Sequence, residues 1–204
     1  MILSIDSSNQ SAHRAVIDAM FEARKKVFVD LLGWELDVAH GRYEIDAFDD
    51  EHAQYLVVAD DDRRHLGSAR LLPTTRAHIL GDLFPDLCNQ PPPRGPHIYE
   101  ITRFCLGPGL GAARRRRVRD TLVMALAHHA LARRIAAYTG VAELGWLRQI
   151  ERFGWRCKAL GKPRRRCGMT LGALRIDIAA DTPDRLERTG ITSSGEAALL
   201  LEAA

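Results

Sequence analysis

Two apolar stretches on either side of a charged turn constrain the fold of this chain more than any other feature. The stretches are "AQYLVVA" at 53–59 and "LGSARLLP" at 66–73, and both have the composition of buried β-strands. The residues between them, "DDDRRH", have the composition of a charged turn. The sequence therefore predicts an antiparallel hairpin.

Helices and further strands are predicted on both sides of this hairpin. A helix begins near Ser11, and its apolar residues recur at steps of three and four, as one face of a helix requires. These residues are Val16, Met20, Ala23, Val27 and Leu31. After the hairpin come a strand at 97–106, a helix at about 112–134, a strand at 135–141, a helix at about 143–153, strands near Trp155 and at 169–178, and two short helices.

This order predicts an α/β fold, a three-layer α/β/α sandwich around a mixed, largely antiparallel sheet. The order resembles the acyltransferase fold of the GNAT superfamily. At 204 residues without a low-complexity linker, the chain is expected to form a single domain over 1–204. It has no signal-peptide pattern and no apolar run of the roughly 20 residues that span a bilayer, so we expect a cytoplasmic protein without stable membrane association.

Cysteine and histidine spacing argues against a metal site. The four cysteines form no C-x-x-C pair, which indicates reduced structural thiols. The adjacent residues His128 and His129 diverge by about 100° on a helix, which argues against a metal site shared by the two.

Charge is distributed unevenly along the chain. Residues 1–100 carry a formal net charge of −7 and residues 101–204 one of +10. Four consecutive arginines, 114–117, stand where the long helix begins, and they either form a solvated face or bind an anion. The acidic first half and the absence of a helix-turn-helix pattern or an aromatic platform argue against nucleic acid as a partner.

Several charged and aromatic residues form a signature that spans four separate segments. They are Arg24, Phe28 and Trp34, then Asp46 and Asp49 in "EIDAFDD", Arg70, Phe84, and finally Glu100, Arg103 and Phe104 in "EITRF". Over about residues 20–160 this signature resembles the acyl-homoserine-lactone synthases, the LuxI-type autoinducer synthases of quorum sensing. The resemblance implies an enzyme that transfers an acyl group from acyl carrier protein or acyl-CoA to the amine of S-adenosylmethionine. Lactonisation with release of methylthioadenosine would follow.

The residues themselves leave simpler interpretations open. Trp34 either caps the core or closes over a ligand, and a cation would favour the second role. Asp46 and Asp49 stand where a solvated turn is common, and Arg70 inside a strand needs a carboxylate partner. Arg24 and Phe28 are displaced by one position from the apolar stripe, so we expect them along its edge. The resemblance assigns an S-adenosylmethionine site to Arg24, Phe28, Trp34, Asp46, Asp49, Arg70 and Phe104.

Glu100 and Arg103 are the residues to which the resemblance assigns catalysis. Glu100 would take the proton of the attacking ammonium, directly or through a water, and Arg103 would order the acyl carbonyl or the carboxylates. Side chains three apart in a regular strand point to opposite faces. Both can serve one cleft only if the strand is irregular, and we expect a bulge within about 99–104.

The acyl donor is less well specified by the sequence. Residues expected to line an acyl pocket are Met124, Thr139, Val141, Leu144, Trp146, Leu147 and Ile150. The resemblance points to acyl carrier protein or coenzyme A as the partner of Arg114, Arg115, Arg116, Arg117 and Arg148. No cofactor is expected, since both molecules are substrates. The alternative is a GNAT-type N-acyltransferase that uses acyl-CoA on another amine, although "LGPGLGAARRRR" lacks the Q/R-x-x-G-x-G/A pattern of a pyrophosphate loop.

Overall fold

A computed structural model of the chain describes residues 1–166 and 168–192. Its elements are β1 (Ile2–Ile5), α1 (Arg14–Arg24), β2 (Val38–Ala39), β3 (Tyr43–Glu44), β4 (Gln54–Ala59), β5 (His65–Pro73), α2 (Ile79–Asp82), β6 (Ile98–Leu106), α3 (Ala112–Ala132), β7 (Ala137–Glu143), α4 (Leu144–Glu151), β8 (Arg156–Ala159), β9 (Arg164–Arg166), β10 (Met169–Asp177) and α5 (Thr182–Arg188). A π-helical segment, Lys25–Leu31, continues α1, and short 3-10 turns lie at Gln10–His13 and Pro85–Leu87. The second of the two predicted terminal helices lies outside the described residues. None of the helices within the described ranges has the length and apolar character needed to span a bilayer.

The chain folds into two compact units. Of the described residues, 1–71 and 103–126 belong to the first unit, and the rest belong to the second. The chain passes from one unit to the other within β5, within β6 and within α3. The expectation of a single domain over the whole chain stays a prediction.

The first unit contains the hairpin that the sequence predicts. β4 pairs with β5 and with β1, antiparallel in both cases, and Tyr55 lies opposite Arg70 in the register. Residues 55–59 are all buried, which is why this strand shows no alternation of polar and apolar residues. The strand β1 was not predicted, because "ILSI" is too short to show a period.

The second unit contains the mixed part of the strand pairing. Residues 98–100 of β6 pair in parallel with β7, where Glu100 lies opposite Thr139. β10 pairs antiparallel with β7 and, on its other edge, with β8 and β9. Parallel and antiparallel pairs therefore occur together and most are antiparallel, so the α/β fold with a mixed, largely antiparallel sheet is confirmed.

The predicted apolar face of the first helix changes direction before its end. Four of its five residues are buried, but Leu31 is 70% exposed, so the prediction is wrong there. The π-helical segment inserts extra residues per turn, and this rotates the side chains that follow. Arg24, which precedes this segment, and Phe28, which lies within it, are both buried, at 1% and 4% exposure, more deeply than expected at the edge of an apolar face.

Replacing Gly161 by alanine should destabilise the second unit. An added Cβ would collide with the Leu87 carbonyl oxygen and lie 3.1 Å from the Asn89 nitrogen, whose hydrogen bond to the Leu160 carbonyl measures 2.9 Å. We expect Gly161→Ala to lower the free energy of unfolding by about 1–3 kcal/mol, the usual cost of overpacking, as measured by urea denaturation. The control is Gly111→Ala, where a Cβ would meet no atom within 4 Å. Equal stability of the two variants would contradict the close packing at Gly161.

Candidate functional site

Three arginines and three carboxylates meet in the first unit. This Arg–carboxylate cluster consists of Arg24, Arg70, Arg103, Glu44, Asp46 and Asp49. The arginines come from α1, β5 and β6, whereas the carboxylates come from β3 and the turn that follows it. The formal charges of the cluster sum to zero. The antiparallel pairing of β4 with β5 and the turn after β3 therefore assemble a buried, electrically balanced site.

Arg24 joins two of the carboxylates. Its Nε donates to Glu44 at 2.5 Å, and its two terminal nitrogens donate to the two oxygens of Asp49 at 2.8 Å each. Burial opposes the charge on Arg24, but the hydrogen bonds and charges of Asp49 and Glu44 outweigh it and raise the pKa of Arg24. Such a bidentate pair fixes both carboxylates in direction as well as position.

Asp49 accepts hydrogen bonds from several directions, and its side chain is fully buried. Besides Arg24, its oxygens accept from the Tyr55 hydroxyl and from the Asp46 backbone N–H, both at 2.9 Å. An Arg70 nitrogen also lies 2.9 Å from it. Burial alone would raise the pKa of Asp49, but hydrogen bonding and charge from Arg24, with the charge of Arg70, hold that pKa well below its usual range. Asp49 is therefore an ionised part of the scaffold.

Asp46 and Arg103 are the members of the cluster that solvent reaches. Their side chains are 18% and 11% exposed, whereas those of Glu44 and Asp49 are at 0%. Asp46 accepts from Arg70 at 2.5 and 3.0 Å and from Arg103 at 2.7 Å. A ligand that approaches this cluster meets a carboxylate already held in place by two guanidinium groups.

Arg103 has a left-handed backbone, with φ of 49°. Such a conformation is uncommon outside glycine and interrupts the regular alternation of side chains along a strand. It occurs inside β6, within the segment 99–104 where the sequence argument requires an irregularity. The Arg103 side chain donates to Glu44 as well as to Asp46. Whether Glu100 serves the same cleft stays a prediction.

Phe28 and Trp34 form an aromatic pair beside the cluster. Their rings are stacked with centroids 4.9 Å apart and planes inclined by 12°. The Arg103 guanidinium lies 5.8 Å from the centre of the Phe28 ring, and Trp34 packs against a small core that contains Val27 and Cys105. Trp34 is only partly buried. Phe104 is also half-buried, on β6.

The predicted acyl-pocket residues belong to both units, and their joint role stays a prediction. Met124, on α3, is buried in the first unit; the others belong to the second. Leu147 and Ile150 are buried on α4, Leu144 and Trp146 are half-buried, and Val141 and Phe84 pack against Leu80, Leu87 and Leu171. Thr139 is fully buried, and its hydroxyl has no hydrogen-bond partner among the residues described.

The basic residues lie on the surface. Arg114, Arg115, Arg116, Arg117 and Arg148 are all exposed. This arrangement suits either a solvated face or contact with an anion.

Glu44 and Tyr55 are the members of the site that the sequence argument missed. Glu44 is as buried as Asp49 and pairs with Arg24 and Arg103. Glu44 ends the two-residue strand β3 and Asp46 lies in the turn that follows, so no regular alternation marks Glu44 as a neighbour of Asp46. Tyr55 lies in an apolar run, where nothing marks its hydroxyl as a partner of Asp49.

Comparison with known proteins decides the family. Residues 8–186 match the family model described as autoinducer synthase. The chain belongs to the autoinducer synthase family. An acyl-homoserine-lactone synthase of Ralstonia nicotianae is 38% identical over 176 residues, covering 82% of this chain and 85% of the relative. The protein is thus an acyltransferase of the acyl-homoserine-lactone synthase type.

Solved structures agree with this assignment. One of them is the CoA-dependent acyl-homoserine lactone synthase BjaI, which was solved with SAM and isopentyl-CoA and also with MTA. BjaI is 28% identical to this chain, with a TM-score of 0.84. The similarity covers 100% of this chain and 99% of the BjaI chain. An acyl-CoA N-acyltransferase from Pseudomonas aeruginosa shares the fold, with a TM-score of 0.56 at 14% identity. This similarity covers 86% of this chain and 98% of the acyltransferase chain.

Replacing Tyr55 by phenylalanine tests the support of Asp49. The substitution removes a hydroxyl that donates to a buried, ionised carboxylate, so we expect the free energy of unfolding to fall by about 1–3 kcal/mol in urea denaturation. Tyr43→Phe, at a half-exposed tyrosine of β3, is the matched control and should change it by less than about 0.5 kcal/mol. A loss at Tyr43 as large as that at Tyr55 would contradict the assignment.

The low pKa of Asp49 also predicts how stability depends on pH. In the unfolded chain the pKa of an aspartate is about 3.9. In the folded protein the pKa of Asp49 lies well below that value, so Asp49 stays ionised at lower pH. The stability that this difference contributes is present above about pH 4 and is lost as pH falls toward the folded value. The free energy of unfolding should therefore decline steadily from about pH 4 downward, as measured by urea denaturation at fixed ionic strength. A plateau through that range would be inconsistent with an ion-paired Asp49.

Proposed function

We propose that this protein makes acyl-homoserine lactones from S-adenosylmethionine and an acyl thioester, and that the Arg–carboxylate cluster binds S-adenosylmethionine. The observation that carries the proposal is Asp46, a partly exposed carboxylate oriented by Arg70 and Arg103. Family membership and the SAM-bound structure of BjaI support it.

The substrate chemistry fits these groups. S-adenosylmethionine carries positive charge on its sulfonium and amino groups, and a carboxylate and an aromatic face both attract cations. Because the cluster is already neutral, a cation that binds Asp46 must compete with a guanidinium. Arg103 is the more exposed of the two that hold Asp46, so Arg103 is the group that we expect to adjust.

The proposed reaction has two steps, acyl transfer and lactonisation. In the first, the substrate amine attacks the acyl carbonyl, a C–N bond forms, and the thioester C–S bond breaks. Glu100 is proposed as the base that takes the ammonium proton, and Arg103 as the residue that orders the carbonyl. In the second, the substrate carboxylate attacks the carbon next to the sulfonium, and methylthioadenosine leaves. This step is intramolecular and has a good leaving group, so it needs positioning more than further catalysis, and no cofactor.

Acyl-CoA is the donor that we propose to test first. BjaI, whose similarity covers 100% of this chain, is described as CoA-dependent. Acyl carrier protein remains the alternative, since exposed arginines at 114–117 suit an acidic protein surface as well as the phosphates of coenzyme A. An N-acyltransferase acting on another amine is the second candidate, because that fold is shared.

Product analysis with two carboxylate variants tests the proposal. We expect methylthioadenosine to be released from S-adenosylmethionine only when a suitable acyl-CoA or acyl carrier protein is added, as followed by chromatography. Asp46→Asn should raise KM for S-adenosylmethionine by about tenfold or more, because a charge-assisted contact is worth roughly 1.4 kcal/mol or more. Asp50→Asn, at an exposed position in the same turn, is the matched control and should hardly change it.

Two results would count against the proposal. Equal effects at Asp46 and Asp50 would mean that the turn contributes only bulk negative charge. Acylation of a different amine without any need for S-adenosylmethionine would favour the general N-acyltransferase.

A further inference from the structure

A single histidine organises the short helix α2 in the second unit. His78 immediately precedes α2 and is fully buried. Its Nδ1 lies 2.8 Å from the Arg76 carbonyl oxygen, which can only accept, so Nδ1 carries the proton. The backbone N–H of the same residue donates to Asp82, at the other end of α2, at 2.6 Å. The His78 side chain therefore ties the start of this helix to the chain before it, and its backbone N–H, which any residue but proline would supply, ties the start to the last residue of the helix.

The imidazole also lies directly against the backbone of α2. A Cβ at Gly81 would come within 2.5 Å of His78 Cε1 and 2.7 Å of its Nε2. A glycine is the residue that leaves room for the ring. Because α2 has only four residues, it cannot be stable through its own hydrogen bonds. The ring contact and the two hydrogen bonds supply the order that the helix lacks.

Helix α2 presents a backbone hydrogen-bond donor to Glu100, the proposed base. The Leu80 N–H donates to Glu100 Oε1 at 2.9 Å, and both residues are fully buried. A hydrogen bond from a rigid backbone fixes the rotation of a carboxylate more firmly than one from a mobile side chain. The orientation of Glu100 therefore depends on the conformation of α2.

We propose that His78 is a positioning residue for Glu100. Together with Gly81 and Asp82, His78 holds α2 so that the Leu80 N–H orients the Glu100 carboxylate for proton transfer. The proposal rests on the role of Glu100 in the proposed function, and it gives His78 no contact with substrate. Loss of this support should lower kcat while leaving the affinity for S-adenosylmethionine nearly unchanged, since proton transfer is sensitive to misplacement.

Two substitutions separate positioning from simple packing. Asparagine is smaller than histidine, but its side-chain amide can donate to the Arg76 carbonyl as Nδ1 does. Leucine nearly preserves the volume but has no donor. If His78 only fills space, His78→Leu should be the better tolerated variant. If His78 positions Glu100, His78→Asn should be the better tolerated one.

The direct readout is the Leu80 amide proton, followed by NMR in the full-length protein without substrates. An amide that donates to a carboxylate resonates downfield and exchanges slowly, and Glu100→Gln supplies the reference for loss of the carboxylate. We expect His78→Asn to resemble the wild type. His78→Leu and Gly81→Ala should move the signal toward the Glu100→Gln position and speed its exchange by about tenfold or more, because the turn opens locally.

Kinetics then connect the amide to the reaction. With the acyl donor that supports turnover, His78→Leu should lower kcat by about tenfold or more and change KM for S-adenosylmethionine by less than about twofold. His78→Asn should have a kcat much closer to that of the wild type. The proposal is overturned if leucine keeps the wild-type amide signal and rate while asparagine loses them. An amide that responds as expected in a protein that releases no methylthioadenosine from any donor would instead refute the proposed function and leave the role of His78 in α2 standing.

Discussion

The pairing of Arg24 with Glu44 and Asp49 is the interaction on which the first unit depends. All three side chains are removed from water, and an unpaired charge in such a place costs several kcal/mol. Arg24 can be buried only because its two terminal nitrogens match the two oxygens of Asp49 while its Nε donates to Glu44. The turn after β3 is therefore fixed against α1 by charge as well as by packing.

The same pairing divides the carboxylates by their exposure to solvent. Asp49 is saturated with donors and closed to solvent, whereas Asp46 retains an exposed face. Because the cluster is neutral and preassembled, we expect the reorganisation on ligand binding to be confined largely to Arg103, and preorganisation of this kind lowers the cost of binding. Sequence spacing alone could not separate the two aspartates, because it contains no information on which oxygens are already occupied.

Whether the sequence predicted a feature depended on how far apart along the chain the interacting residues lie. The hairpin and the long helix followed from local patterns, and the family followed from spaced charged and aromatic residues. Leu31 was misplaced because a π-helical segment changes the period without any mark in composition. Glu44 was missed because its burial depends on Arg24 and Arg103, which are 20 and 59 residues away in the chain.

Arg103 shows how the cluster and the strand depend on each other. A left-handed backbone at a non-glycine residue costs about 1–2 kcal/mol and persists only where surrounding contacts hold it. Its guanidinium makes hydrogen bonds to Glu44 and Asp46, and its charge lies close to the Phe28 ring. These contacts offset the strain, and the strained backbone in turn directs Arg103 toward the carboxylates. Arg103 is therefore a strained residue whose side chain remains partly exposed, and a change in its hydrogen bonds would act on β6 as well as on the cluster.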